Sequence, residues 1–78
     1  MSSAARYGAE KALRQAGASA KRIRSLRKTA GYQQLVQAAQ HALDVRETVA
    51  RGRAAPTTLF VANTELAQLC QLIVKGGR

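Results

Sequence analysis

Along residues 32–49 the apolar side chains return at the spacing of an α-helix, and no other stretch of this 78-residue chain limits its fold so sharply. At about 100° per residue, Tyr32, Leu35, Ala38, Ala39, Ala42, Leu43, Val45 and Val49 fall in one half of the helical wheel. Gln33, Gln34, Gln37, Gln40, His41, Asp44, Glu47 and Thr48 fill the other half. A helix so divided needs a partner for its apolar side. Arg46 alone stands amid the apolar residues, which predicts either a side chain that snorkels to the edge or an ion pair across an interface.

The partner segment begins after Arg51, Gly52 and Arg53, where Pro56 with Thr57 and Thr58 marks the restart of a helix. Leu59, Ala62, Leu66, Leu69 and Ile73 then follow a 3-4-3-4 spacing, the seam of a helix that packs lengthwise on another. Phe60 and Val61 fall off that seam. Either they face a second chain, or residues 59–62 form a short strand and the helix starts at Asn63 or Thr64. The helix is preferred, because one lone strand has nothing else in this chain to pair with. The expectation is an all-α chain in which helices over 32–51 and 57–75 form a hairpin. Leu35, Ala39, Ala42 and Val49 of the first meet Leu59, Leu66, Leu69 and Ile73 of the second. Gly76 and Gly77 close the second helix and leave Arg78 loose.

Size and composition limit what this hairpin can achieve alone. Residues 1–78 fit one small domain, and a chain of this length buries roughly 60 to 65% of its surface. Aromatic residues number three, Tyr7, Tyr32 and Phe60, and Trp is absent, so the core rests on Leu, Val, Ile and many Ala. The hairpin leaves Phe60, Val61 and part of the 38–45 surface uncovered, and a second copy related by a two-fold axis would bury that remainder. A homodimer is therefore expected.

The N-terminal third differs in character. Residues 3–16 contain good helix formers but a weak apolar stripe of Ala5, Ala9, Ala12 and Ala16 with Leu13 beside it, which predicts a loosely held helix. In residues 18–30 only Ile23 and Leu26 are large and apolar. That segment is expected to gain its order from a partner, or to run on into the next helix through Gly31. Between Glu10 and Asp44 there is no acid, yet Lys11, Arg14, Lys21, Arg22, Arg24, Arg27 and Lys28 all lie there. The formal net charge of the chain is +9. A positive block of that length repels itself unless something anionic lies against it.

Nucleic acid is the polyanion these residues suit best, since a row of Lys and Arg gains by releasing the counterions condensed on a duplex. On a helix Lys21, Arg24 and Lys28 share one face that can follow a phosphate backbone. Base-reading amides are scarce: among residues 11–28, which hold all seven cations, Gln15 is the only Asn or Gln, and no aromatic is present for stacking. Shape and charge remain, which places duplex RNA slightly ahead of DNA, with Ser25 and Thr29 as further polar contacts. Two other readings stand beside this one. The chain could be a structural subunit of a ribonucleoprotein, or a protein-interaction module whose basic segment is a targeting address.

Other classes find little support. Cys70 is the single cysteine, so no intrachain disulfide and no multi-cysteine zinc site can form, and its neighbours Leu66, Leu69 and Ile73 suggest a packed, reduced thiol. His41 lies on a polar face with no second His, no Cys and no acid four residues on, so no metal site is expected. The four acids are scattered and no Gly-rich phosphate loop precedes a helix, so no catalytic residue, cofactor or small-molecule substrate is assigned. No apolar run approaches the 18 or so residues that span a bilayer, and no membrane contact is expected. The setting suggested is intracellular, cytoplasmic or nuclear, although residues 1–29 also have the Arg, Ser and Ala composition of an organellar transit peptide.

Two partial resemblances bear on these readings. Arg51, Gly52, Arg53 and Ala54 followed by Leu59, Phe60, Val61 and Ala62 resemble a helix, basic turn and apolar strand of the kink-turn-binding ribosomal family, over less than a third of the chain and without its Gly-x-Asn-Glu segment. In architecture and charge the chain is also similar to small viral helical suppressors that bind duplex RNA as dimers, with no motif matched residue by residue. That likeness implies a dimeric, sequence-tolerant binder.

Overall fold

The computed structural model describes residues 3–76, and within them the chain forms four helices: α1 over Ser3–Gln15, α2 over Ala20–Leu26, α3 over Ala30–Ala50 and α4 over Pro56–Gly76. No strand occurs among the described residues. Residues 59–62 are helical, so the strand alternative is set aside, and with it the apolar strand of the ribosomal resemblance. The fate of Gly77 and Arg78 lies outside the described residues.

Local signals explain where each helix starts and stops. Ser19 caps α2 by accepting from the Arg22 N–H at 3.2 Å, and Thr29 caps α3 by accepting from the Tyr32 N–H at 3.2 Å. Thr29 also donates its hydroxyl to the Leu26 carbonyl at 2.6 Å. This double use of one side chain breaks the chain between α2 and α3, so α2 does not continue through Gly31, which lies inside the first turn of α3. Pro56 occupies the first position of α4, where its missing N–H costs nothing.

α1 and α3 end in the same way. Gly17 has φ +105°, and the Ala18 N–H reaches back to the Leu13 carbonyl at 3.0 Å while the Gly17 N–H reaches Arg14 at 3.0 Å. Gly52 has φ +73°, with Arg53 donating to Thr48 and Gly52 to Val49, each at 3.0 Å. These are paired Schellman closures, which satisfy the last carbonyls and call for glycine at the left-handed position.

α3 and α4 form the expected hairpin, with boundaries within two residues of those read from the sequence. They run antiparallel. Ile73 near the end of α4 lies beside Gly31 at the start of α3, whereas Val45 shares a groove with Thr58 and Val61 at the opposite end. Within the seam Leu35, Ala39 and Ala42 are buried, and Leu66, Leu69 and Ile73 pack against the core. Val49 and Leu59, at the open end, are only half-buried and stand outside the central cluster.

The main departure from expectation is α1. Ala5, Ala9 and Leu13 have no exposed surface at all, so α1 is a third wall of the core, laid against both α3 and α4. Small side chains make this possible: a Cβ placed on Gly8 would lie 3.8 Å from the Ala39 Cβ. Ala18, Ile23 and Leu26 are buried as well, which draws α2 into the same cluster. The N-terminal third thus supplies core and charge together, from opposite sides of the same helices.

Gly8 and Gly17 give a test in which one substitution has two signs. Gly8 is interior to α1 with room for a methyl group, and Gly17 is left-handed. In urea unfolding followed by circular dichroism, Gly8→Ala should raise stability by about 0.5–1 kcal/mol and Gly17→Ala should lower it by about 1–2 kcal/mol. An equal loss at both positions would contradict the room for a methyl group between Gly8 and Ala39.

Candidate functional site

α2 is seven residues long and is held by its two flanks. Ile23 and Leu26 face the core. On one flank Arg22 donates from Nη2 to the Ile73 carbonyl at 3.1 Å, placing a cation at the negative end of α4 where last-turn carbonyls need donors. On the other flank Arg27 grips Glu10 of α1, Nε to Oε2 at 2.9 Å and Nη2 to Oε1 at 2.8 Å. The Tyr32 hydroxyl of α3 donates to the same Oε2 at 2.7 Å. Glu10 is the only charged side chain buried among the described residues, and it joins three helices.

The electrostatics of Glu10 follow from these contacts. The hydrogen bonds from Arg27 favour the carboxylate and outweigh burial, which acts in the opposite direction; the Tyr32 hydroxyl and the charges of Arg27 and Arg14 add to them. Together they hold the group at about 2, below its ordinary 4.5. Arg27 is held further up by the same partner.

With both flanks engaged, Lys21, Arg24 and Lys28 are left on the outward side of α2 and its C-terminal turn, all exposed and none paired with an acid among the described residues. The Ser25 hydroxyl turns back to the Lys21 carbonyl at 3.4 Å, and Thr29 is committed to its cap, so neither hydroxyl stands free as sequence reading supposed. On α1 the outward side carries Tyr7, Lys11 and Arg14, spaced four and three residues apart and all exposed. Arg14 lies within electrostatic reach of Glu10, on the side of α1 that meets α2. Lys11 lies on the other side, where it shares with Arg46 a groove of about 540 Å³ floored by Ala39, Ala42 and Leu66. Arg46 is exposed at the edge of the apolar side and has no ion pair among the described residues.

Of the seven cations selected from the sequence, the structure therefore engages Arg22 and Arg27 within the fold. It leaves Lys11, Arg14, Lys21, Arg24 and Lys28 open. Sequence reasoning missed Glu10 and Tyr32, whose signal was faint: one acid at the margin of an alanine stripe, with no indication of which cation it would take. Cys70 is fully buried, and burial pushes its thiol up to about 11. No group of three His, Cys, Asp or Glu residues among those described could hold a metal ion, and no described helix is long and apolar enough to cross a membrane. Neither a protein-family model nor a curated protein nor a solved structure matches this chain.

The Glu10 contacts set a pH dependence with a definite sign. A group lowered from 4.5 to about 2 on folding contributes stability that is full above 4.5 and is lost as pH falls through 2. A displacement of that size is worth roughly 3 kcal/mol in a dry site. The Arg27 side chain is 43% exposed. Screening by water therefore leaves about 1–2 kcal/mol. Glu10→Gln should cost that amount at neutral pH by chemical denaturation, and the gap to the unaltered chain should narrow as the solution is acidified below 4.5. An undiminished gap at pH 2 would show that the carboxylate charge contributes nothing.

Proposed function

We propose that the outward surface of α1 and α2 binds duplex nucleic acid along its phosphates, with little sequence selectivity and with RNA slightly ahead of DNA. The observation that carries this reading is the division of labour among the cations. Arg22 and Arg27, on the flanks of α2, meet a carbonyl and a carboxylate within the fold, while Lys21, Arg24 and Lys28 are directed away from every acid among the described residues. An inert solvated face ordinarily carries both signs of charge, and this one carries only one. Its self-repulsion is relieved by an anionic partner.

Arg14 extends the charge onto the side of α1 that meets α2, and Lys11 lies farther round α1 beside Arg46, so five of the seven selected cations are open. Apart from Gln15 the surface offers no Asn or Gln, and Tyr7 is the one aromatic on the outward side of α1, which favours backbone and shape recognition over a sequence code. The same reading includes an intracellular setting and a homodimer, in which two such surfaces would double the charge offered to one duplex.

If about five phosphates are contacted per chain, log K against log salt should fall with a slope near −4 to −5 on B-DNA. Arg24→Glu together with Lys28→Glu should abolish binding in gel-shift titration and leave the circular dichroism unchanged, because both residues point away from Ile23 and Leu26. Arg27→Gln should behave in the reverse way, with a loss of stability larger than its loss of affinity. A slope near −1, or about a hundredfold preference for one sequence over another, would overturn the proposal.

A further inference from the structure

Four large apolar side chains remain exposed among the described residues, and three of them lie on α4: Phe60 at 72%, Val61 at 52% and Leu72 at 70%. At helical spacing they share one side of α4 with Thr64, Gln68 and Gln71, opposite the buried Ala62 and Cys70. This side carries two charges, Glu65 at its margin and Lys75 in the last turn, and none in between. From Arg53 to Lys75 the chain has no Lys or Arg between, and Glu65 is the only acid there. On a molecule of formal net charge +9, that is a marked gap in the positive field.

The gap determines what can cover it. Two copies of so basic a chain repel wherever cations face cations, and the outer side of α4 is where that repulsion is least. The pattern is also self-complementary. If two α4 helices pair antiparallel through their outer sides about an axis at the level of Leu66 along the helix, Phe60 of one copy falls opposite Leu72 of the other, and the symmetry repeats the contact, with Thr64 facing Gln68 between them. A 21-residue helix offers about 30 Å for this pairing. Phe60, Val61 and Leu72 expose roughly 300–400 Å² of apolar surface per copy at usual side-chain areas. With the intervening Thr and Gln the interface approaches about 1,000 Å² in all, at the low end for a specific complex. An interface of that size can be held open by the repulsion of two such cationic chains.

We propose that the outer side of α4 is a self-association surface for a second copy of this chain, and that charge gates it: neutralising the two copies, by salt or by a shared polyanion, closes the dimer. The polyanion arm rests on the binding function proposed above, and the salt arm does not. Salt should therefore act with opposite signs on the two properties, weakening duplex binding while strengthening self-association.

The experiment is sedimentation equilibrium of the full chain from about 0.05 to about 0.5 M salt, a range over which the screening length falls from well above 10 Å to a few Å. The dimer dissociation constant should drop by about tenfold or more across it. Phe60→Gln with Leu72→Gln, two exposed positions that keep the helix, should leave a monomer of unchanged circular dichroism at every salt concentration. Adding a short duplex at low salt should bring the unaltered chain together in pairs on the duplex, and the double variant should bind it without pairing. A monomer at all salt concentrations, association that weakens with salt, or a dimer indifferent to the double substitution would each overturn the proposal. Salt-driven dimers with no affinity for a duplex would uphold the α4 surface and defeat the binding function, so the two fail separately.

Discussion

A carboxylate placed where α1, packed largely through alanine, meets α2 and α3 holds this fold in register. Taking Glu10 out of water costs several kcal/mol unless its oxygens are satisfied, and here two guanidinium N–H groups and a phenol converge on them within 2.9 Å. The three donors come from Arg27 at the C-cap of α2 and from Tyr32 of α3, so the arrangement closes only when α1, α2 and α3 are in their places together. Alanine packing could not enforce that. Ala5, Ala9 and Ala39 present little relief and distinguish neighbouring positions of α1 weakly, which leaves Leu13 as the one large apolar side chain of α1 that is buried. The charged contact discriminates between those positions, because a shifted α1 would leave Glu10 buried and unpaired.

The same constraint explains how a short helix with so many cations exists. A seven-residue segment is too short to be stable through its own hydrogen bonds. Ile23 and Leu26 anchor it below, and the two flanking arginines fasten it to α1 and to the end of α4. Its remaining cations are then fixed in space instead of being carried on a flexible arm. A surface of this kind enters a complex with less ordering left to do, which distinguishes it from a basic tail that folds only on contact.

The α3–α4 hairpin was legible in the sequence because the signals at several levels agree: a clean division of the wheel over residues 32–49, a heptad-like seam, Pro at a start and Gly at a stop. The role of α1 was not. Its alanines score weakly as a stripe, and the value of a small residue lies in the partner it allows to come close, which a single chain segment does not reveal. Val36, buried and absent from the seam expected of a two-helix hairpin, shows the same limit, since it belongs to the side of α3 that a third helix covers. Among the cations, spacing grouped Lys21 and Arg24 of α2 with Lys28, which lies in the turn that follows it. It could not separate them from Arg22 and Arg27, because the acceptors of those two lie 51 and 17 residues away in the chain.

Cys70 gives this molecule a built-in clock. The thiol has no exposed surface and is displaced upward to about 11, so at neutral pH it is both covered and almost entirely protonated. Any reagent that modifies it must wait for α4 to lift away from the other helices. The rate at which the single sulfur is labelled therefore counts openings of the core itself, reporting how often the four helices part without a probe having to be introduced.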